Sequence, residues 1–416
     1  MKRKKFKRAV CLALVCCLCV SGGIMGVKYY YNPQESVVLE TVSDSLASVG
    51  APAEEQTKAD MEIEAKSAVL IDADTGKVIF QQDAHKELPP ASVTKVMTML
   101  LAMEAVDSGK VKLTDKVTIS ERAASMGGSQ MYMEEGETHT LEELLQGIAI
   151  VSANDACVAI SEYIAGSEEV FVEKMNARAK ELGMRDTHFI NTNGLPVADH
   201  YTSAYDIALM SKLLLKHAHT QEWFNTWQTT IKVGLPGKEK EFGLTNTNKL
   251  IKQYPGANGI KTGFTQDAGY CLSASATRDD TTLIAVVLGA ETSKIRNAEV
   301  AKLLNYGFAN YTSVTLADKG QRMKKVRLEK GEPYFLYAQT KEKITAFVKK
   351  GDEKDASCKV KINKNIRLPI EKGDKIGTLQ VYSGKTKTAS YDLVADRDAG
   401  KASFFTYYIR KIENLF

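Results

Sequence analysis

Three short groups of residues could carry covalent chemistry: Ser92-Val-Thr-Lys95, Ser152-Ala-Asn154 and Lys261-Thr-Gly263. A serine in the first turn of a helix presents its hydroxyl at the positive end of the helix dipole, where developing negative charge is favoured. Three residues on is about one turn. Lys95 therefore lies beside Ser92 and can take its proton, provided that burial and a nearby cation such as Lys261 lower its pKa. Ser152 is suited to relay a proton to a leaving amine, and Asn154 offers an amide to hold Lys95 and a substrate carbonyl. On a strand, Gly263 leaves room for an extended peptide to lie alongside, while Lys261 and Thr262 suit an anionic terminus. The backbone N–H groups of Ser92 and Phe264 would complete an oxyanion hole. Each motif is short enough to arise by chance, so weight comes from its setting: a helix start, a junction between helices and a strand.

Those settings are read from the surrounding pattern. Ser67–Asp72 and Lys77–Phe80 are β-type runs separated by the turn Ala73-Asp-Thr-Gly76, which makes a hairpin. Ser92–Ser108 is long, nearly all apolar and free of Gly and Pro, and stops at Gly109. It reads as a buried helix, with Met97, Met99 and Met103 as core residues. Helical spacing recurs in 141–151, 155–164, 168–182 and 203–217. Strand signals return at 259–263, 270–275 and 282–288, and a last helix spans about 293–309. Strands at both ends of a helical middle imply an α+β unit, the first hairpin joining the later strands in one antiparallel sheet.

From residue 311 the pattern changes to short alternating runs (326–328, 344–348, 360–362 and 378–381) cut by Gly-containing turns, as in a small β domain. Residues 311–399 hold 20 basic and 12 acidic residues, whereas residues 28–310 hold 26 and 38. A positive β domain favours an anionic lipid surface or wall polymer, or is simply a solvated lysine-rich face. At the C-terminus, Phe405, Tyr408, Ile412 and Leu415 fall on one helical face beside Arg410 and Lys411. That suits a membrane surface or packing onto the body of the protein.

The chain is long for one domain at 416 residues, and its net charge of +4 depends on its start. Residues 1–27 carry six basic and no acidic residues, so the remainder is slightly acidic and a nucleic-acid partner loses its main support. A basic start followed by the uncharged run 9–27 is an export signal, cleaved or kept as an anchor. It places the rest of the chain outside the cytoplasm, at the cell envelope. A lipid anchor at Cys16 or Cys17 is disfavoured because the residues before them are not the small ones such processing takes. Residues 28–62 read as a linker. Cys157, Cys271 and Cys358 are too few and too dispersed for a disulfide framework or a zinc site. With no HExxH and no Gly at the start of the stretch before Gly384-Lys-Thr386, no metal or cofactor is implied.

The order S-x-x-K, S-x-N, K-T-G is the known signature of β-lactamases and penicillin-binding proteins. Pro90-Ala-Ser92-Val-Thr-Lys95-Val-Met-Thr98 and Gly259-Ile-Lys-Thr-Gly-Phe264-Thr-Gln-Asp-Ala-Gly269-Tyr-Cys-Leu272 narrow it. The chain resembles, over about residues 63–410, the low-molecular-mass penicillin-binding serine D-alanyl-D-alanine carboxypeptidases. The resemblance implies a penicillin-recognising, β-lactamase-like transpeptidase fold over 63–310, a β-rich C-terminal domain over 311–399 and an amphipathic membrane-surface helix over 400–416. It implies Ser92 as nucleophile, Lys95 as base, Ser152 as proton relay, and Asn154, Lys261, Thr262, Gly263 and Phe264 as substrate-binding. Arg296, in Lys294-Ile-Arg296-Asn, resembles the arginine that meets the terminal carboxylate. Ala153 stands where many members have Gly, and a small effect is expected. The implied reaction removes the terminal D-Ala from peptidoglycan stem pentapeptides through an acyl-enzyme, and β-lactams should acylate the same serine. The rivals are a β-lactamase, for which no deacylating Glu can be placed, a D,D-endopeptidase, and an inactive wall-binding protein, which the intact motifs disfavour.

Overall fold

A computed structural model of the chain describes residues 61–413; the stretch read as an export signal and most of the linker lie outside the described residues, as does Leu415. The N-terminal unit is built on one antiparallel sheet. Its strands are β1 (Ser67–Asp72), β2 (Val78–Gln82), β3 (Ala257–Thr265), β4 (Gly269–Arg278) and β5 (Thr281–Ala290), in the order β2-β1-β5-β4-β3. The N-terminal hairpin does join the three later strands, with Val69 opposite Val286 in the β1–β5 pairing. Both sheet faces are covered, and that is why β1 and β5 read as nearly unbroken apolar runs.

Alternation along the strands divides the core in two. Val69, Ile71, Ile260, Ile284 and Val286 face the helical layer, while Leu70, Leu272, Leu283 and Val287 face the other side. The helical layer holds α1 (Lys95–Asp107), α2 (Leu141–Val151), α3 (Asn154–Ala165), α4 (Glu168–Glu181) and α5 (Ala204–Leu214). Met97, Met99 and Met103 are fully buried in it. The opposite face is covered by α6 (Ser293–Asn310) through Val300, Leu303, Leu304 and Phe308.

Helix starts follow local capping. Thr140 and Glu143 form a reciprocal capping box on α2, and Ser167 and Ser203 accept first-turn N–H groups of α4 and α5. The first helix departs from expectation. Ser92 does not open it: Ala91–Thr94 is a 3-10 turn and α1 begins at Lys95. Ala91, the first residue of that turn, sits at the positive φ of +48°.

The C-terminal unit has a five-stranded sheet in the order 322–327, 335–340, 386–395, 375–383, 356–362, plus the pair 311–317 with 344–349. Leu336, Ile344, Leu379, Val381 and Leu393 fill its core. Tyr311 and Phe347 face the other way and are buried with the residues of α6 and the catalytic sheet. The final helix, α7 (Phe404–Glu413), is held by Arg410, which donates to Gly331 O at 2.6 Å and to Glu332 Oε2 at 2.5 Å. Among the described residues no helix is long and apolar enough to cross a membrane.

Candidate active site

Four segments converge where the 3-10 turn meets the β3 edge. Ser92 and Lys95 come from the turn and the first residue of α1, Ser152 and Asn154 from the α2–α3 junction, and Lys261, Thr262 and Gly263 from β3. The fourth segment, 191–195, was not singled out in the sequence. It brings the Asn193 carbonyl against Lys95.

Lys95 is fully buried, and its Nζ donates to Ser92 Oγ at 2.8 Å and to Asn193 O at 2.6 Å. Burial lowers its pKa to about 8, opposed by the nearby Asp155 carboxylate. Lys261 is also buried and donates to the Thr262 carbonyl at 3.1 Å. Desolvation holds it well below the ordinary lysine range, with the Lys95 ammonium adding to the depression. Two buried ammonium groups so coupled disfavour double protonation. Lys95, brought to about 8 by burial, is neutral in a growing fraction as pH rises through that value, and in that form it can act as a base.

Asn154 differs from the expectation that it holds Lys95. Its Nδ2 donates to Gly127 O at 2.7 Å, tying α3 to the 127–133 loop, while its Oδ1 is buried without a partner. Ser152 sits in the left-handed region at φ 67°, terminating α2, and its Oγ is buried without a partner. An unpaired buried hydroxyl costs about 1–3 kcal/mol, and such groups cluster where a ligand or a transferred proton completes the bonding. Ala153, the departure from the family pattern, is buried between them.

Gly263 fixes the approach of β3. A Cβ there would lie 3.0 Å from both Pro90 O and Ser92 N and 3.1 Å from Ala91 Cβ, so any larger residue would push the strand from the nucleophile. Thr262 Oγ1 shares a hydrogen bond of 2.7 Å with Thr247 Oγ1, and Thr247 N–H donates to Ile150 O, linking β3 to α2. Phe264 is half exposed and packs on Tyr270 at 4.3 Å between ring centroids. Arg296 is buried with its guanidinium 5.9 Å from the Tyr270 ring, and it donates to Asn297 Oδ1 at 3.0 and 3.1 Å. Its charge also weighs against a proton on Lys261.

Glu168 has a structural task beside the site. Glu168 Oε1 accepts from Thr192 Oγ1 at 2.8 Å and Thr192 N–H at 3.3 Å, and Oε2 from Arg122 at 3.3 Å. It anchors the segment that presents Asn193 O to Lys95. A cleft of about 380 Å³ opens beside the turn, lined by Pro90, Ala91, Gly194, Leu195, His200 and Thr265 among others.

Comparison with known proteins finds that a family model described as D-alanyl-D-alanine carboxypeptidase matches residues 53–292. A second, described as penicillin-binding protein 5, C-terminal domain, matches residues 311–401. The chain is 48% identical over 348 residues to D-alanyl-D-alanine carboxypeptidase DacF of Bacillus subtilis, covering 83% of this chain and 89% of that one. It is 32% identical over 366 residues to D-alanyl-D-alanine carboxypeptidase DacC of Escherichia coli, covering 85% and 88%. Among solved structures it is similar to penicillin binding protein 5 from Haemophilus influenzae, with a TM-score of 0.64 at 30% identity, covering 82% of this chain and 99% of that one.

Proposed function

Because the chain belongs to the D-alanyl-D-alanine carboxypeptidase family of low-molecular-mass penicillin-binding proteins, we propose that it is a serine carboxypeptidase that acts through an acyl-enzyme on Ser92. The observation that carries the reading is the 2.8 Å contact between Ser92 Oγ and the amine of a fully buried lysine.

Neutral Lys95 takes the Ser92 proton as Oγ attacks the carbonyl of the penultimate D-Ala. The new oxyanion is met by the N–H groups of Ser92 and Phe264. As the tetrahedral species collapses, the proton passes from Lys95 through the unpaired Ser152 hydroxyl to the departing D-Ala nitrogen. Water then attacks the acyl-enzyme with Lys95 again as the base, releasing the shortened peptide and restoring Ser92. Asn154 Oδ1, free of a partner, suits a substrate N–H. Lys261, Thr262 and Arg296 form the cationic end that takes the terminal carboxylate. A β-lactam presents the same carbonyl and carboxylate but keeps its leaving nitrogen tethered, so it is held at the acyl stage.

The substrate is a peptidoglycan stem pentapeptide, reached from the outer face of the cytoplasmic membrane. Support for that location is the basic apolar start of the chain, the positive C-terminal domain and α7, whose Phe404, Phe405, Tyr408 and Ile409 are more than half exposed. Release of D-Ala from diacetyl-Lys-D-Ala-D-Ala tests the activity directly. A purified chain that binds penicillin covalently yet frees no D-Ala from this peptide would refute a carboxypeptidase.

A further inference from the structure

The Ala91–Ser92 peptide bond carries two groups of consequence. Its N–H is the first oxyanion donor of the reaction proposed above, and its C=O faces away. A trans peptide is planar with these two groups pointing in opposite directions, so whatever fixes the Ala91 carbonyl also aims the Ser92 N–H. Ala91 needs such fixing, because a non-glycine residue at φ +48° is in the disfavoured left-handed region.

The carbonyl is held by a buried chain of hydrogen bonds. Thr94 Oγ1 donates to Ala91 O at 2.9 Å and lies 2.8 Å from His200 Nε2. The Ile190 N–H donates to His200 Nδ1 at 3.0 Å. That last bond sets every direction in the chain. A ring nitrogen accepting from a peptide N–H carries no proton, so the neutral imidazole has its hydrogen on Nε2 and donates it to Thr94 Oγ1. Thr94 then has one proton left, and it goes to Ala91 O. Burial lowers the His200 pKa to about 4, which keeps the ring neutral at working pH. A threonine hydroxyl bonding back three residues is common by itself. Here the hydroxyl is itself oriented by a buried histidine 106 residues away. Gly194 closes the other side, since a Cβ at that position would run into Ala91 O.

We propose that His200 and Thr94 are positioning residues for catalysis, orienting and polarising the Ala91–Ser92 peptide so that the Ser92 N–H meets the oxyanion. Donation to the carbonyl draws charge through the peptide and strengthens its N–H as a donor. The inference rests on the acyl-enzyme reading of Ser92 and adds two residues outside the three motifs.

The test compares Thr94→Val, which keeps shape and loses the donor, Thr94→Ser, which keeps the hydroxyl, His200→Phe, and the Thr94→Val/His200→Phe double variant. For each, stopped-flow acylation by a fluorescent penicillin separates the pre-acylation binding constant from the acylation rate constant. Affinity for a peptidyl boronic acid, a tetrahedral mimic, is measured alongside. Losing an oxyanion donor costs about 10²–10³-fold, so a misaimed donor should cost roughly 10–100-fold. Thr94→Val and His200→Phe should lose that factor in acylation rate and in boronate affinity, with the binding constant changed less than threefold. Thr94→Ser should restore the rate. The double variant should lose no more than the worse single, because the chain acts as one unit. Thermal melts identify any variant that is unfolded. If Thr94→Val does not fold, the decision passes to His200→Phe against His200→Gln, whose amide can still donate. A folded Thr94→Val or His200→Phe protein that acylates at the wild-type rate overturns the proposal, as does a loss confined to the binding constant or full multiplication of losses in the double variant. Failure of the wild-type protein to acylate at Ser92 would instead refute the functional reading on which this one stands.

Discussion

Lys95 and Ser152 show how the site holds reactive groups ready at the expense of local stability. Lys95 is buried with Ser92 Oγ and the Asn193 carbonyl as its partners, and burial brings its pKa to about 8. The neutral fraction of such a base grows as pH rises through that value. We therefore expect kcat/KM for D-Ala release to climb between about pH 7 and 9 with an apparent pKa near 8; a rate flat across that range would contradict the assignment. Lys95→Arg should lose at least ~10²-fold, because a guanidinium cannot deprotonate. At Ser152 the left-handed conformation at φ 67° is one that glycine adopts freely. Ser152→Gly should leave the melting temperature unchanged or a few degrees higher while D-Ala release drops ~10²-fold or more. A clear fall in melting temperature would show that the hydroxyl is structural. The serine and lysine of the first motif were legible in the sequence because their spacing is local, one turn apart. Asn193 and Glu168 were not, because they meet Lys95 and Thr192 only through tertiary folding, across 98 and 24 residues.

The placement of whole elements determines how close the nucleophile and the substrate strand lie. β3 runs against the 3-10 turn because Gly263 has no side chain. Gly263→Ala puts a methyl 3.0 Å from Pro90 O and Ser92 N. With backbone on both sides little can yield, so the strand should shift and penicillin acylation should slow by ~10-fold or more, measured by stopped-flow, with the protein still folded. Acylation at the wild-type rate would mean that the close approach is not needed. The central sheet and the long helices were readable from periodicity, since burial on both sheet faces leaves unbroken apolar runs in β1 and β5. The hairpin formed by 228–233 and 240–245 was not, although Ile231 with Val233 and Phe242 with Leu244 alternate inward at period two, because so few apolar residues in each run make a weak signal. The 3-10 entry to α1 was missed for another reason. Nothing in the composition of Pro-Ala-Ser signals a positive φ at an alanine.

In the whole molecule the two folded units share buried surface. Phe347 and Tyr311 of the C-terminal unit stack 5.1 Å apart and are buried in the core that lies under α6. Thr345 Oγ1 donates to Asp74 at 2.7 Å and Lys343 pairs with Asp280 at 2.5 Å. Calorimetry should accordingly show one dominant unfolding transition, and two well-separated ones would contradict that coupling. At the far end α7 presents its apolar side chains to solvent, the arrangement expected if an anionic membrane covers them. A chain lacking residues 1–60 should sediment with anionic vesicles at low salt and less at high salt, and removal of 404–416 should leave it in the supernatant with D-Ala release intact. If both chains stay in the supernatant, the membrane reading of α7 fails. The central claim, acyl transfer through Ser92, is tested most directly by intact-protein mass spectrometry after incubation with a penicillin. The wild-type chain should gain the mass of one ring-opened penicillin, located on the peptide that contains Ser92, and Ser92→Ala should gain nothing; an adduct of equal mass on the Ser92→Ala protein would contradict the account.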